Sequence, residues 1–240
     1  MKPFVSLVGN TEYNIGCTGR TVYVFDKNGA QVASFRDLPY AYDCAISPKG
    51  DVFVVKTTEG RLAVYSLDGM CLLKKFRFSS VDEMQDDNFC FSPDGEEFYN
   101  IERHTDGCKT ALSVYDTKDF TLKKRLFSEN TDMMLNFVEV TEEGIYLLGY
   151  FRKNPTFFGR KKGIGVADRF FVARLTDDEI CDIRYISESD HRFCADYKRV
   201  EMSGFTEERK RLSGLGDDAL AAAREHGFSA YELWKNGLSE

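Results

Sequence analysis

One short stretch concentrates five bases and three aromatic rings. FRKNPTFFGRKKGIG, Phe151 to Gly165, carries Arg152, Lys153, Arg160, Lys161 and Lys162 beside Phe151, Phe157 and Phe158, with no acid among them. Such charges draw in an anionic partner over long range. Arginine next to aromatic rings also suits protein hot spots or stacking on nucleic-acid bases. A protein, a nucleic acid or an anionic lipid all fit that chemistry, and so does a long solvated hairpin with no ligand. A second stretch, SSVDEMQDDN from Ser79 to Asn88, gathers Asp82, Glu83, Asp86 and Asp87. Their oxygens suit a cation, but the spacing matches no calcium loop. Solvated carboxylates repelling one another are the plainer reading.

No catalytic arrangement is legible. His104, His191 and His226 lie far apart and outside any HExxH or HxH pattern. There is no GxSxG elbow, and Gly159, Gly163 and Gly165 lack the spacing and Lys-Ser/Thr ending of a phosphate loop. Acids are plentiful, but chain order does not fix two carboxylates at the ~5–9 Å that glycoside hydrolysis needs. The sequence therefore assigns no catalytic residue, no metal ligand set and no cofactor.

The composition sets the class. The chain has 240 residues, 42% of them hydrophobic, with 20 Phe and 12 Tyr, enough for a large core and weighted toward strands. A net charge of −7 argues against wholesale nucleic-acid binding. The opening MKPFVSLVGN lacks the apolar stretch of a secretory signal, and no run reaches the ~18 apolar residues of a membrane span. Seven cysteines with no CxxC pair read as reduced, mostly buried thiols, so a cytoplasmic protein without a membrane partner is expected.

The elements that must position these residues repeat. AISPKGDVFVVKTTEGRLAVYSLDGMCLLKKF (Ala45 to Phe76) returns as CFSPDGEEFYNIERHTDGCKTALSVYDTKDFTLKKRLF (Cys90 to Phe127), with Ser47 and Ser92 45 residues apart. Each copy reads as four short strands joined by turns. RTVYVFDKNGAQVASF (Arg20 to Phe35) repeats the last two strands. VEVTEEGIYLLGYF (Val138 to Phe151) and RFFVARLTDDEICDIRYI (Arg169 to Ile186) supply a fourth copy. Pro48 and Pro93 fall at turns, and Gly50, Gly69, Gly95 and Gly144 fall where a positive φ is expected. A period of ~40–50 residues with four strands per unit predicts an all-β, β-propeller-like array of about four four-stranded antiparallel blades over residues 1–187.

FSPDGEEFY and VYDTKD resemble the WD-repeat-like and related Ser-Pro-Asp-Gly propeller families over about three quarters of the chain. The resemblance implies the fold and is nearly silent on role. No Gly-His dipeptide precedes a blade and no Trp-Asp dipeptide ends a third strand; Phe25-Asp26 and Tyr115-Asp116 come nearest.

Residues 188–240 form a C-terminal extension, mostly helical from about 203. DDALAAAREHGF reads as a short helix ended by Gly227, and FTEERKRL (Phe205 to Leu212) reads as another. In FSAYELWKNG, Ser229 and Glu232 make a capping box, and Phe228 with Leu233 a hydrophobic staple. Trp234, the only tryptophan, either packs on the blades or docks into a partner.

Successive turns of a meander alternate ends. Short turns at Pro48–Gly50, Leu67–Gly69 and Pro93–Gly95 share one face, and the long connections share the other. Function concentrates on long loops held by a rigid scaffold. The leading expectation is a non-enzymatic protein-interaction scaffold. It works through the long-loop face, with Arg152, Lys153, Phe157, Phe158, Arg160, Lys161, Lys162 and Trp234 as partner-binding residues, and through self-association where blade edges stay open. The alternatives are an enzyme or small-ligand binder at the central channel mouth, and a nucleic-acid-associated factor acting through residues 151–165.

Overall fold

The computed structural model describes residues 6–57, 59–77, 88–103, 109–130, 132–152, 167–188, 190–191 and 229–236. Among these residues sixteen strands form four sheets, each a four-stranded antiparallel meander in chain order. The first sheet is β1 (Ser6–Gly9), β2 (Tyr13–Cys17), β3 (Val22–Asp26) and β4 (Gln31–Phe35). The second is β5 (Ala41–Ile46), β6 (Val52–Thr57), β7 (Arg61–Ser66) and β8 (Cys71–Arg77). The third is β9 (Phe89–Phe91), β10 (Glu97–Arg103), β11 (Thr110–Asp116) and β12 (Thr121–Leu126). The fourth is β13 (Met133–Thr141), β14 (Gly144–Arg152), β15 (Ala167–Thr176) and β16 (Glu179–Ile186), and a helix, α1 (Ala230–Asn236), follows.

Burial explains the stacking. The middle strands are covered on both faces, which is why VFVV and LAVY read as unbroken apolar runs. The outer strands are largely exposed, with Leu72, Leu73 and Leu122 at the rim beside lysines that discourage pairing of the open edge. Three apolar layers join neighbouring sheets. Ile15, Cys17 and Val24 meet Phe53 and Tyr65; Val54 and Leu62 meet Phe98 and Tyr115; Ile101 and Leu112 meet Leu147 and Phe171. Among the described residues no apolar layer joins the fourth sheet to the first. Gly149 leaves room within the fourth sheet for its neighbours on β13 and β15, because a Cβ there would lie 2.2 Å from the Met134 carbonyl oxygen and 2.8 Å from Cζ of Phe171.

Each third-to-fourth strand pair carries a bulge, and the turn beside it holds a left-handed residue: Gly29, Met70, Phe120, then Asp177 and Asp178. Gly50 and Gly95 take the expected left-handed conformation in the Ser-Pro turns, at φ 71° and 70°. Gly69 does not. The extra residue of that bulged turn is Met70, at φ 45°, which packs into the layer between the first two sheets.

One register position ties the stack together. Lys74, Lys124 and Arg184 each stand opposite the corresponding valine of the third strand, Val64, Val114 and Val172. Lys74 donates to the carbonyls of Asp119 and Phe120 in the next sheet's turn, at 2.7 and 2.9 Å. Lys124 pairs with Asp178 of the sheet after that. Among the described residues no sheet follows the fourth, and Arg184 donates instead to the carbonyls of Trp234 and Lys235 at the C-terminal end of α1. That is where a helix end favours positive charge. The helix thus occupies the position of a further blade. Ser229 caps it by accepting from the Glu232 amide at 2.9 Å, and Ala230, Tyr231, Leu233 and Trp234 cover Tyr146 and Leu148. Phe228 and the helices expected at 205–212 and 217–227 lie outside the described residues.

Candidate functional site

The two ends of the stack differ. At one end the turns bind one another. The Leu67 amide donates to the Asp51 carbonyl at 2.8 Å, and the Thr117 hydroxyl to the Gly95 carbonyl at 2.6 Å. Lys49 reaches Glu96 of the neighbouring sheet. From the opposite end leave the connections 78–88, 104–109 and 153–166, of which only residues 88 and 109 are described, and the described segments 18–21, 36–40 and 127–130.

Beneath this long-loop end lies a layer of buried polar groups. Lys56, 1% exposed, donates from Nζ to the Ile101 carbonyl at 2.7 Å and lies over the Phe89 ring. Glu102, also 1% exposed, accepts from the Tyr115 hydroxyl at 2.7 Å and pairs with Arg125 at 2.8 Å. Burial first, and then the Glu102 charge, push the Tyr115 hydroxyl far above the usual phenol range. Both carboxylate oxygens of Glu102 are therefore occupied. Among the described residues it is the only buried carboxylate, and its evident work is to lock β10, β11 and β12 together. Asn88 binds the β13 backbone both ways, accepting from the Val138 amide at 2.6 Å and donating to its carbonyl at 3.2 Å. His191 lies 3.1 Å from the Asn136 amide oxygen, against the Phe170 and Tyr150 rings. Desolvation lowers its pKa to about 4. Among the described residues no three His, Cys, Asp or Glu side chains are grouped to hold a metal.

The sequence-derived partner residues separate. Arg152 is the last residue of β14, paired with Ala167 and 8% exposed, so it belongs to the sheet rather than to an exposed loop. Trp234 packs at 5.4 Å from Tyr146 and donates its indole N–H to the Asp182 carbonyl at 2.9 Å, under the Arg184 guanidinium. Lys153, Phe157, Phe158, Arg160, Lys161 and Lys162, like the acidic residues 82–87, lie outside the described residues.

Three features escape a reading of the sequence. Lys56 had a signal: the 45-residue repeat puts it in the slot of Ile101, a charge in an interior position. The Glu102–Arg125–Tyr115 network spans three strands and had none. Nor did Tyr40, which follows Pro39 and adopts φ 57° with its side chain 58% exposed.

No family model matches the sequence, and no curated protein matches it. Among solved structures, a chain of Kuenenia stuttgartiensis hydrazine synthase, a propeller-containing protein, superposes with a TM-score of 0.58 at 15% identity. The match covers 78% of this chain and 49% of that one, so the present chain spans about half the length of that structure. The fold is propeller-like, with four blades among the described residues. At that identity the likeness carries the fold alone. No helix among the described residues is long and apolar enough to cross a membrane.

Proposed function

We propose that the chain is a propeller-type interaction module that engages a protein partner through its long-loop face. The contrast between the two ends carries this reading. The short-turn end spends its polar groups on ties between neighbouring sheets, through Lys49, Lys74 and Lys124, and on a tie between turns of the third sheet, through Thr117. The long-loop end rests on a buried, fixed layer while arginines and an aromatic ring stand out from it. Rigid support beneath exposed connections is the arrangement that binding surfaces use.

The test is a chain in which 104–108 and 153–166 are replaced by short turns. Folding is expected to survive, read by circular dichroism and a cooperative thermal transition. A protein captured by the parent chain is expected to bind the replaced one more weakly, and to be lost when exposed residues of the described segments 18–21 and 36–40 are changed as well. Capture that survives both changes, or folding lost with no separable activity, counts against the reading. Self-association belongs to the same proposal, and light scattering of the parent chain measures it. A ligand site at the channel mouth is the rival reading, and Lys56 beside Asn88 and Phe89 is where its polar groups would come from.

A further inference from the structure

Tyr40 sits on the long-loop face, in the crossing from the first sheet to the second. Leu38, 2% exposed, anchors the segment, and Pro39 precedes Tyr40. Proline followed by a positive φ is the pattern of a type II turn, whose third position favours glycine. A tyrosine stands there at φ 57°. Its side chain does not repay that conformation by packing, since it is 58% exposed and nothing among the described residues hydrogen-bonds to it or stacks on its ring. Two arginines lie close to it along the backbone. Arg36 opens the same crossing, and the Gly19 amide donates to the Ala41 carbonyl at 3.0 Å, which sets Arg20 beside the turn. Both arginines are exposed and, among the described residues, neither is in an ion pair. The one acid in the crossing, Asp37, accepts from the Tyr65 hydroxyl through its carboxylate and from Lys75 through its carbonyl.

An exposed aromatic ring held in a costly backbone conformation, with two exposed arginines nearby on the chain, is the composition of a binding hot spot. We infer that Arg20, Arg36 and Tyr40 form a docking patch for an acidic peptide segment of a protein partner. The arginines take its carboxylates as charge-assisted pairs, and the phenol ring gives it an apolar face to lie on. Nucleic acid offers negative charge as well, but a protein of net charge −7 repels a long polyanion where a short acidic segment meets only the local field. The inference rests on the long-loop reading and sharpens it to three residues and one class of partner.

The probe is a displayed library of random peptides panned on the immobilised full chain, with affinities of recovered peptides measured by fluorescence anisotropy. Acidic sequences are expected to be enriched and to bind more weakly at high salt. Binding is expected to fall about tenfold or more in Tyr40→Gly, in Tyr40→Asn and in the double change Arg20→Glu, Arg36→Glu, and to survive largely in Tyr40→Phe. Glycine and asparagine both accept the left-handed backbone, so these variants stay folded and remove only the ring. Peptides that bind those variants undiminished, yet are lost from the chain with 104–108 and 153–166 replaced, overturn the patch and leave the long-loop reading standing. Peptides lost only on Lys49→Glu overturn both. Failure to enrich acidic sequences, or recovery of single-stranded nucleic acid as the sole ligand, overturns the patch.

Discussion

Lowering the pH should loosen the cover of the fourth sheet through one residue. His191 is 7% exposed, against the Phe170 and Tyr150 rings, with its pKa lowered by desolvation from 6.5 to about 4. Above pH 6.5 the imidazole is neutral in the folded and the unfolded chain alike, and its contribution is complete. As the pH falls from about 6.5 to about 4, the unfolded chain takes up a proton that the folded chain refuses, so stability declines. Below about pH 4 both forms are charged and the loss levels off. The interval from 6.5 to about 4, at about 1.36 kcal/mol per pH unit, sets the loss at about 3 kcal/mol. The assay is urea unfolding at a series of pH values, followed by the fluorescence of Trp234. His191→Phe supplies the control, because it fills the site and cannot titrate. The parent chain should lose about 3 kcal/mol more than the variant across that interval. Parallel curves would refute the reasoning, since they would mean that His191 charges as readily in the folded protein as in the unfolded one.

Other consequences follow from single contacts. Gly149→Ala places a methyl group 2.2 Å from a carbonyl oxygen of β13 and 2.8 Å from Phe171, and should cost about 3 kcal/mol or more in thermal or urea unfolding. Arg184→Met removes the charge that holds the end of α1; a red shift in Trp234 emission and a loss of about 1 kcal/mol are expected. Glu102→Ala leaves Arg125 and the Tyr115 hydroxyl without their buried partner. Arg125 keeps a quarter of its side chain in water, so the expected loss is about 2–3 kcal/mol, checked by urea unfolding.

What the sequence revealed and what it withheld divide along physical lines. The four units were legible because middle strands covered on both faces must be apolar throughout, and turns between them must hold proline and glycine. That pattern survives even in the fourth copy, where Thr141 and Gly144 stand in for the Ser-Pro turn. The cap of α1 was legible for a similar reason, since the Ser229–Glu232 spacing is local. Met70 in the place expected of Gly69 was not, because a bulge shifts the left-handed position by one residue and the partner strand decides where. The role of Lys74 and Lys124 was half visible. The matching strand endings CLLKKF and TLKKRLF showed the positions, but only the neighbouring sheet shows what each charge reaches, and Arg184 in EICDIRYI carries no such phrase. Arg152 was grouped with a basic loop by its neighbours in sequence, while hydrogen bonding to β15 draws it into the sheet. Tyr40 lay beyond reach, because a positive φ at a bulky residue leaves no mark in composition or period.

Hydrogen exchange on the chain with and without a bound acidic peptide tests the central claim most directly, because it reads both ends of the stack at once. Protection confined to residues 18–21, 36–40 and their neighbours at the long-loop end, with the turns at 47–51, 67–70 and 92–96 unchanged, is the expected result. Protection of those short turns with the long-loop end unchanged would contradict it.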